Sequence, residues 1–331
     1  MIPNINMLKQ KIAKRYYQLL KQARIAKFWA KKSTFKRNQI GTLLFDSSTI
    51  CTANCIFCAY QFDTRDKETA GLGLFRRTLD QYIQLGGQDL NLTPLTGELF
   101  VSNDVIEMIK YANNRGINSI SFYTNATLLH KVNLRELLSL NITRIGISVS
   151  PFDQKLYKAI YRSDAYSRVI ENVSSLLRIA KEINSKIHIS IEYRGPLTLE
   201  KCNQLDDYRS KIKPFLTNKI SFSAFKAEFD TWGGRIKSTD LLEGMDVKSQ
   251  VNHSPIFPCT RLWNIQVEPS GNVNLCGCRA NYNDEISPLY LGNINNNSLE
   301  NIIKSPKAKA IRQSFFTGNL NDLCKNCSWY T

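Results

Sequence analysis

Cys51-Thr52-Ala53-Asn54-Cys55-Ile56-Phe57-Cys58 places three thiols on eight residues, directly after an apolar run at 41–46 that reads as a strand. Three thiolates on one tight loop can hold three irons of a [4Fe–4S] cube and leave the fourth open to a ligand. An open coordination position is where metal chemistry takes place, by the logic that separates catalytic from structural zinc. A zinc loop is the plainer alternative. Zinc, however, normally takes four ligands in closely spaced pairs, and no fourth ligand lies nearby in the sequence.

Outward from this loop, strand-like runs alternate with helical patterns. The strands fall at 41–46, 88–93, 117–123, 144–150, 186–193 and 219–225, and the helices at 74–85, 103–115, 134–140, 165–183 and 198–212. Several of the strands are apolar in the manner of strands buried on both faces, as in Ile145-Gly146-Ile147-Ser148-Val149, which predicts an α/β fold with a parallel sheet covered by helices. Such a sheet presents its ligand site at the carboxyl ends of its strands. After Trp232-Gly233-Gly234 turn residues become frequent, and we expect a boundary near 236. Beyond it the pattern predicts a hairpin at 267–276 around Ser270-Gly271, a helix at 298–315 and the terminal Cys324-Lys325-Asn326-Cys327. The expected domains are therefore an arm at 1–40, a core at 41–235 and a cysteine-rich unit at 236–331.

The arm carries most of the charge. Of a formal +16 in 331 residues, eleven basic residues lie within 1–40 and the first acid is Asp46, which leaves +5 for everything else. The basicity is local, so no general nucleic-acid surface is expected. Residues 7–32 read as a basic amphipathic helix with Leu8, Ile12, Tyr16, Leu19 and Ala23 on one face. It is either a solvated face or a dock, with Phe28 and Trp29, for an anionic surface. No membrane-length apolar run and no signal-peptide block is present, so a cytoplasmic location is expected. Nine cysteines in such a compartment point to metal before disulfides. Cys202 stands apart and reads as a small buried hydrophobe. His130, His188 and His253 are too few for histidine-based metal catalysis and form no HExxH, nor is there a phosphate-binding P-loop.

With Phe57 before its third cysteine, the CxxxCxxC loop after the first strand resembles that of the radical S-adenosylmethionine superfamily. The resemblance covers about 42–235 and implies a partial (β/α)6 TIM-like barrel. It also implies a [4Fe–4S] cluster on Cys51, Cys55 and Cys58 whose open iron chelates S-adenosylmethionine. Reductive cleavage then yields a 5′-deoxyadenosyl radical that takes hydrogen from a substrate, with a flavodoxin- or ferredoxin-type protein as electron source. Thr96-Gly97-Glu98 is similar to the family's Gly-Gly-Glu motif, departing at Thr96 and at Leu99. There Glu98 would accept from the cofactor's amino group, and Gly97 would allow close backbone approach. Thr124-Asn125-Ala126 resembles the family's Thr-Asn-Gly turn. Ser148, Ser150, Glu192 and Arg194 stand where cofactor contacts are usual.

Cys259, Gly271, Cys276 and the Cys324/Cys327 pair resemble the start of the SPASM pattern, in the shortened form of a twitch subdomain. This implies one auxiliary [4Fe–4S] cluster on Cys259, Cys276, Cys324 and Cys327; a four-cysteine zinc site fits the pair almost as well. Cys278 is either a substitute ligand or a free thiol, and is the candidate hydrogen donor if the outcome is epimerisation. A fully ligated auxiliary cluster points instead to oxidation or bond formation. The arm is shorter than the leader-peptide-binding domain of many peptide-modifying relatives, which lowers the reading of a ribosomal-peptide substrate without removing it. The hairpin with Cys276-Gly277-Cys278-Arg279, Leu291-Gly292-Asn293-Ile294-Asn295 and the helix at 298 resemble SPASM proteins of glycan or natural-product biosynthesis, and this resemblance implies a carbohydrate, aminosugar or natural-product intermediate first. A non-catalytic iron–sulfur electron carrier is the competing class, disfavoured because a carrier needs no residue in the position of Glu98.

Overall fold

The computed structural model describes residues 40–149, 152–224, 227–248, 259–277 and 287–328. The basic arm, Ser150 and Cys278 lie outside the described residues.

Each strand-helix unit follows from its pattern of burial. In β3 (Ser119–Thr124) alternate residues Ile120, Phe122 and Thr124 are buried under helices, while Ser119, Ser121 and Tyr123 face the other way. The same alternation runs through β4 (Arg144–Val149) and β5 (His188–Tyr193), with Ile145, Ile147, Val149, Ile189 and Ile191 inside. Helix α1 (Leu72–Gln84) buries Phe75, Thr78, Leu79 and Tyr82, one helical stripe. Helices α2 (Val105–Asn114) and α3 (Leu134–Ser139) cover the next units.

Strands β1 (Leu43–Phe45), β2 (Asp89–Asn91), β3, β4, β5 and β6 (Ile220–Ala224) form a parallel run in that order. This α/β arrangement is the expected (β/α) barrel segment. The sheet continues beyond β1. Strand β9 (Ile265–Val267) pairs parallel with β1, and the hairpin formed with β10 (Asn272–Leu275) leads on to β11 (Tyr290–Asn293), giving nine strands. A two-residue pair, β7 (Glu228–Phe229) with β8 (Asp246–Val247), stands apart.

Three helical features differ from the sequence expectation. Residues 154–161 form α4 (Gln154–Tyr161), capped by Asp153 at its start and closed by left-handed Arg162. Its eight residues are too short for the periodic signal to stand out. It is followed by α5 (Tyr166–Glu182). The expected helix at 198–212 is two, α6 (Leu199–Cys202) and α7 (Asp206–Lys211). That at 298–315 is also two, α8 (Leu299–Ile303) and α9 (Pro306–Thr317), because Ser305 and Pro306 start a new helix. The short α10 (Asp322–Lys325) carries Cys324. Cys202 is fully buried, as expected of a small hydrophobe.

Candidate active site

The three-cysteine loop leaves the carboxyl end of β1 and is held from several sides. Asn54 N and Ile56 N donate to the carbonyls of Tyr161 and Ile160, so the loop is seated on the end of α4. Cys58 N donates to the Cys55 carbonyl at 3.0 Å, and Tyr60 N donates to Cys58 Sγ at 3.4 Å. Gln61 Nε2 closes the loop on the Ile56 and Cys58 carbonyls. Phe57 stacks on Phe229 with ring centroids 4.6 Å apart and meets Tyr161 edge-on.

The cysteines are half-buried and free of disulfides. Burial pushes the Cys51 thiol up to about 12 and Cys58 to about 11, and raises Cys55 well above its ordinary value, with the neighbouring thiols adding to the effect at Cys55. Protein alone therefore does not stabilise three thiolates here, whereas a bound cation would. A donor set of three mutually interacting thiols on one anchored loop suits an iron–sulfur cube with one open corner. Among the described residues no three His, Cys, Asp or Glu groups converge as a single metal ion would require.

Beside the cysteines, at the ends of β2 and β3, lies a buried polar constellation. Glu98 is 2% exposed and accepts from Thr124 Oγ1 at 2.5 Å, Asn125 N at 2.8 Å and Phe100 N at 3.5 Å. Burial outweighs these bonds and pushes its carboxyl up to about 6. Asn125 connects this group to the cysteines, since its Nδ2 donates to Thr52 Oγ1 at 3.1 Å and to Cys51 Sγ at 3.6 Å. Ala126 takes φ 63, so the turn demands the left-handed backbone that glycine gives most cheaply. Gly97 is explained differently from the expectation. A Cβ there would lie 2.1 Å from the Ser48 carbonyl oxygen, so glycine lets the Glu98 loop press against the backbone that leads into Cys51.

The unusual Thr96 has a role of its own. Its hydroxyl donates to Asp63 Oδ2 at 2.6 Å and accepts from Arg65 Nη2 at 2.7 Å, while Arg65 grips Asp63 through Nε and Nη2. Arg65 Nη1 lies 3.3 Å from Glu268 Oε1, beyond the end of β9. Asp46, held by Gln266 Nε2 at 2.8 Å, completes the group, and burial pushes its carboxyl up to about 7. Sequence reasoning missed this cluster. Thr96, a departure from the family motif, and Asp46, at the end of a strand, were noticed singly, but Asp63 and Arg65 lie in a patternless loop and Glu268 is more than 200 residues away.

Farther along the sheet Tyr123, Gly146 and Ser190 are in register, as are Ser148 and Glu192. Glu192 accepts from Tyr123 OH at 2.5 Å, Arg144 Nη2 at 2.9 Å and Arg194 Nη2 at 2.7 Å. Tyr123 and Arg144 are further residues of this face that the sequence reading did not single out. Gly146 is needed because a Cβ there would meet the Tyr123 ring at 2.4 Å.

The second set of cysteines converges through folding. Cys259, Cys276, Cys324 and Cys327 line one cavity with Leu262, Leu289, Phe315 and Leu323. Cys276 has φ 84 and is followed by left-handed Gly277, a strained turn that places its side chain. The Asn321 side chain accepts from Cys324 N and caps the helix that carries the CxxC pair.

Residues 46–180 match the radical SAM superfamily model, and residues 259–328 match SPASM, an iron–sulfur cluster-binding domain. The chain carries a radical SAM domain and a SPASM domain. Iron–sulfur clusters and S-adenosylmethionine are the cofactors of these two domains. GTP 3',8-cyclase of Alkaliphilus metalliredigens is 28% identical over 151 residues, covering 45% of this chain and 46% of its own length. A probable GTP 3',8-cyclase of Methanothermobacter thermautotrophicus is 26% identical over 132 residues, 39% of this chain and 41% of its own length. The chain thus spans less than half of these curated relatives. Among solved structures, BtrN in complex with AdoMet and 2-DOIA superposes with TM-score 0.54 at 15% identity, over 87% of this chain and 93% of BtrN. Streptococcus suis SuiB bound to S-adenosylmethionine gives TM-score 0.54 at 17% identity, over 93% of this chain and 77% of SuiB. These two structural likenesses show a shared fold over most of the chain. Among the described residues no helix is long and apolar enough to cross a membrane.

Proposed function

We propose that the chain is a radical enzyme with two [4Fe–4S] sites, one on Cys51, Cys55 and Cys58 and an auxiliary one on Cys259, Cys276, Cys324 and Cys327. The observation that carries this reading is the link from Cys51 through Asn125 to buried Glu98, which joins three thiols to a carboxylate and its donors. An iron–sulfur electron carrier has no use for such a group. When bound, S-adenosylmethionine supplies a 5′-deoxyadenosyl radical on reduction, which takes a hydrogen atom from substrate carbon. The chain's own residues would hold the cofactor: Glu98 and Asn125 would orient it beside the thiols, Phe57 would shape the wall there, and Gly97 would keep the Glu98 loop close against Ser48. Ser148, Glu192 and Arg194 present polar groups from β4, β5 and the segment just after.

For the substrate, the face bearing Tyr123, Arg144, Ser148, Ser190 and Glu192 supports a small polar molecule, with a carbohydrate or aminosugar-type compound first. BtrN was crystallised with 2-DOIA and SuiB with the precursor peptide SuiA, so a peptide substrate is the second reading. Oxidation or bond formation accords with four cysteines around the auxiliary site. Epimerisation would need a thiol such as Cys278 to return hydrogen. Iron and sulfide per chain after anaerobic reconstitution test the assignment. About eight irons, falling to about four in a Cys51/Cys55/Cys58→Ala triple variant, are expected for two cubes. About four falling to none would remove the auxiliary cluster and shift the chemistry to redox-neutral epimerisation or rearrangement.

A further inference from the structure

The turn at residues 229–234 touches both cysteine sites. At one end, Trp232 Nε1 donates at 2.9 Å to the Phe57 carbonyl, part of the peptide that leads into Cys58, and the Phe229 ring stacks on Phe57. At the other, Asp230 Oδ1 accepts at 2.5 Å from the hydroxyl of Ser328, one residue past Cys327. A Cβ on Gly233 would lie 3.8 Å from Leu323, the neighbour of Cys324. Asp230 joins the two ends, because the same Oδ1 also accepts from Trp232 N at 3.0 Å. Three hydrogen bonds therefore lead from the residue after Cys327, through Asp230 and Trp232, to the peptide before Cys58.

This turn is held against its own backbone preference. Trp232, Gly233 and Gly234 have φ of 49, 74 and 89° in succession, and a bulky ring in the left-handed region persists only where its surroundings fix it. Asp230 and Ser328 are both buried, so their bond is shielded from competing water. The turn also falls between the two ranges matched by family models, 46–180 and 259–328, so neither domain pattern accounts for it.

We infer that Asp230 and Trp232 are positioning residues that hold the two cysteine sites at a set separation and transmit a disturbance at one to the other. The inference rests on the two-site reading proposed above. It is tested in the anaerobically reconstituted full chain by following EPR line shape and chelator-driven iron loss at each site. Trp232→Phe keeps a ring and removes the N–H; Ser328→Ala removes the hydroxyl. Each is expected to alter the EPR lines of both sites and to speed iron loss at the far site as well as the near one, roughly tenfold, as when the partner of a metal ligand is lost. Ser328→Thr, which keeps the donor, retains wild-type behaviour. Asp230→Ala combined with Trp232→Phe does little more than either alone, because both break one connected path. Effects confined to the site beside each substitution overturn the inference. A wild-type chain that takes up no iron would count against the proposed function instead. The coupling is then read on the metal-free full chain as alkylation rates. Trp232→Phe must speed modification of Cys327 and Ser328→Ala that of Cys58; rates that change only at the near cysteine reject it.

Discussion

The two cysteine sites are built in opposite ways. The first takes three thiols from eight consecutive residues, leaves them half-buried, and surrounds them with the polar groups Asn125, Thr52 and Glu98. The second draws four cysteines from across residues 259–327, buries three of them, and lines the cavity with leucine and phenylalanine. A short loop with polar neighbours can receive a polar ligand alongside a metal. An apolar cavity with four thiols offers a ligand nothing to bond to except the thiols themselves. Local chain geometry thus creates a site with polar groups for a ligand, and long-range packing creates an apolar one.

That contrast breaks first if the cysteines are exchanged in importance. Cys55→Ala is expected to reduce cleavage of S-adenosylmethionine to 5′-deoxyadenosine to the level of buffer controls, beyond the roughly 100-fold that loss of an outer partner costs. Cys324→Ala should retain measurable cleavage under the same strong reductant. Robust turnover by Cys55→Ala would remove the first site from the chemistry.

Gly97→Ala sharpens the difference next. Its methyl collides with the Ser48 carbonyl oxygen, so about 2–4 kcal/mol of stability should be lost together with iron from the first site. Iron at the second site should be lost more slowly, because that loop is not part of its packing and the disturbance reaches it only through Trp232 and Asp230. Equal and simultaneous losses at both sites, followed by EPR, would show that the collision unfolds the whole core instead of the first site.

Asp46 tests the polar surroundings of the first site through pH. Its folded carboxyl is pushed up to about 7 from 3.8, chiefly by burial, so the protonated form is favoured in the native state. Stability from this group is full below the unfolded value and is lost as pH rises through about 7. The wild type should therefore weaken between about pH 4 and pH 7 in guanidinium unfolding and level off above that. Asp46→Asn should flatten that slope and gain on the order of 2 kcal/mol at pH 8.5. Arg65, Glu268 and Gln266 face Asp46 and remain in the variant. A slope unchanged by the substitution would rule out Asp46 as its source.

The smallest effect belongs to the cysteine outside both sites. Cys202→Ala removes a fully buried sulfur and should cost about 1 kcal/mol in unfolding experiments while leaving iron per chain unchanged. Loss of iron would give the second site a dependence on Cys202 that its packing does not suggest.

Much of this was legible beforehand. Strands at 144–149 and 188–193 announce themselves through short runs rich in isoleucine and valine, as a parallel sheet covered by helices requires. The CxxxCxxC loop was readable from its spacing, while Glu98, Thr124 and Asn125 were picked out by resemblance to family motifs, and the fold places them next to one another. Helix 154–161 and the break before Pro306 were missed because short helices leave few periodic positions to read.

By itself the sequence determined the β/α alternation, the three-thiol loop and the polar strand ends, all of which depend on residues close together in the chain. Tertiary structure alone decided that β9 extends the sheet beside β1 and that Glu268 reaches Arg65. It also decided that Asp230 and Trp232 stand between Ser328 and Phe57. Of these contacts the pairing of β1 with β9 is the longest in sequence, joining residues 222 positions apart, and Thr42 N donates to Asn264 Oδ1 across the same separation. No spacing in a sequence records them, because they arise only when separately formed elements bury their faces against one another.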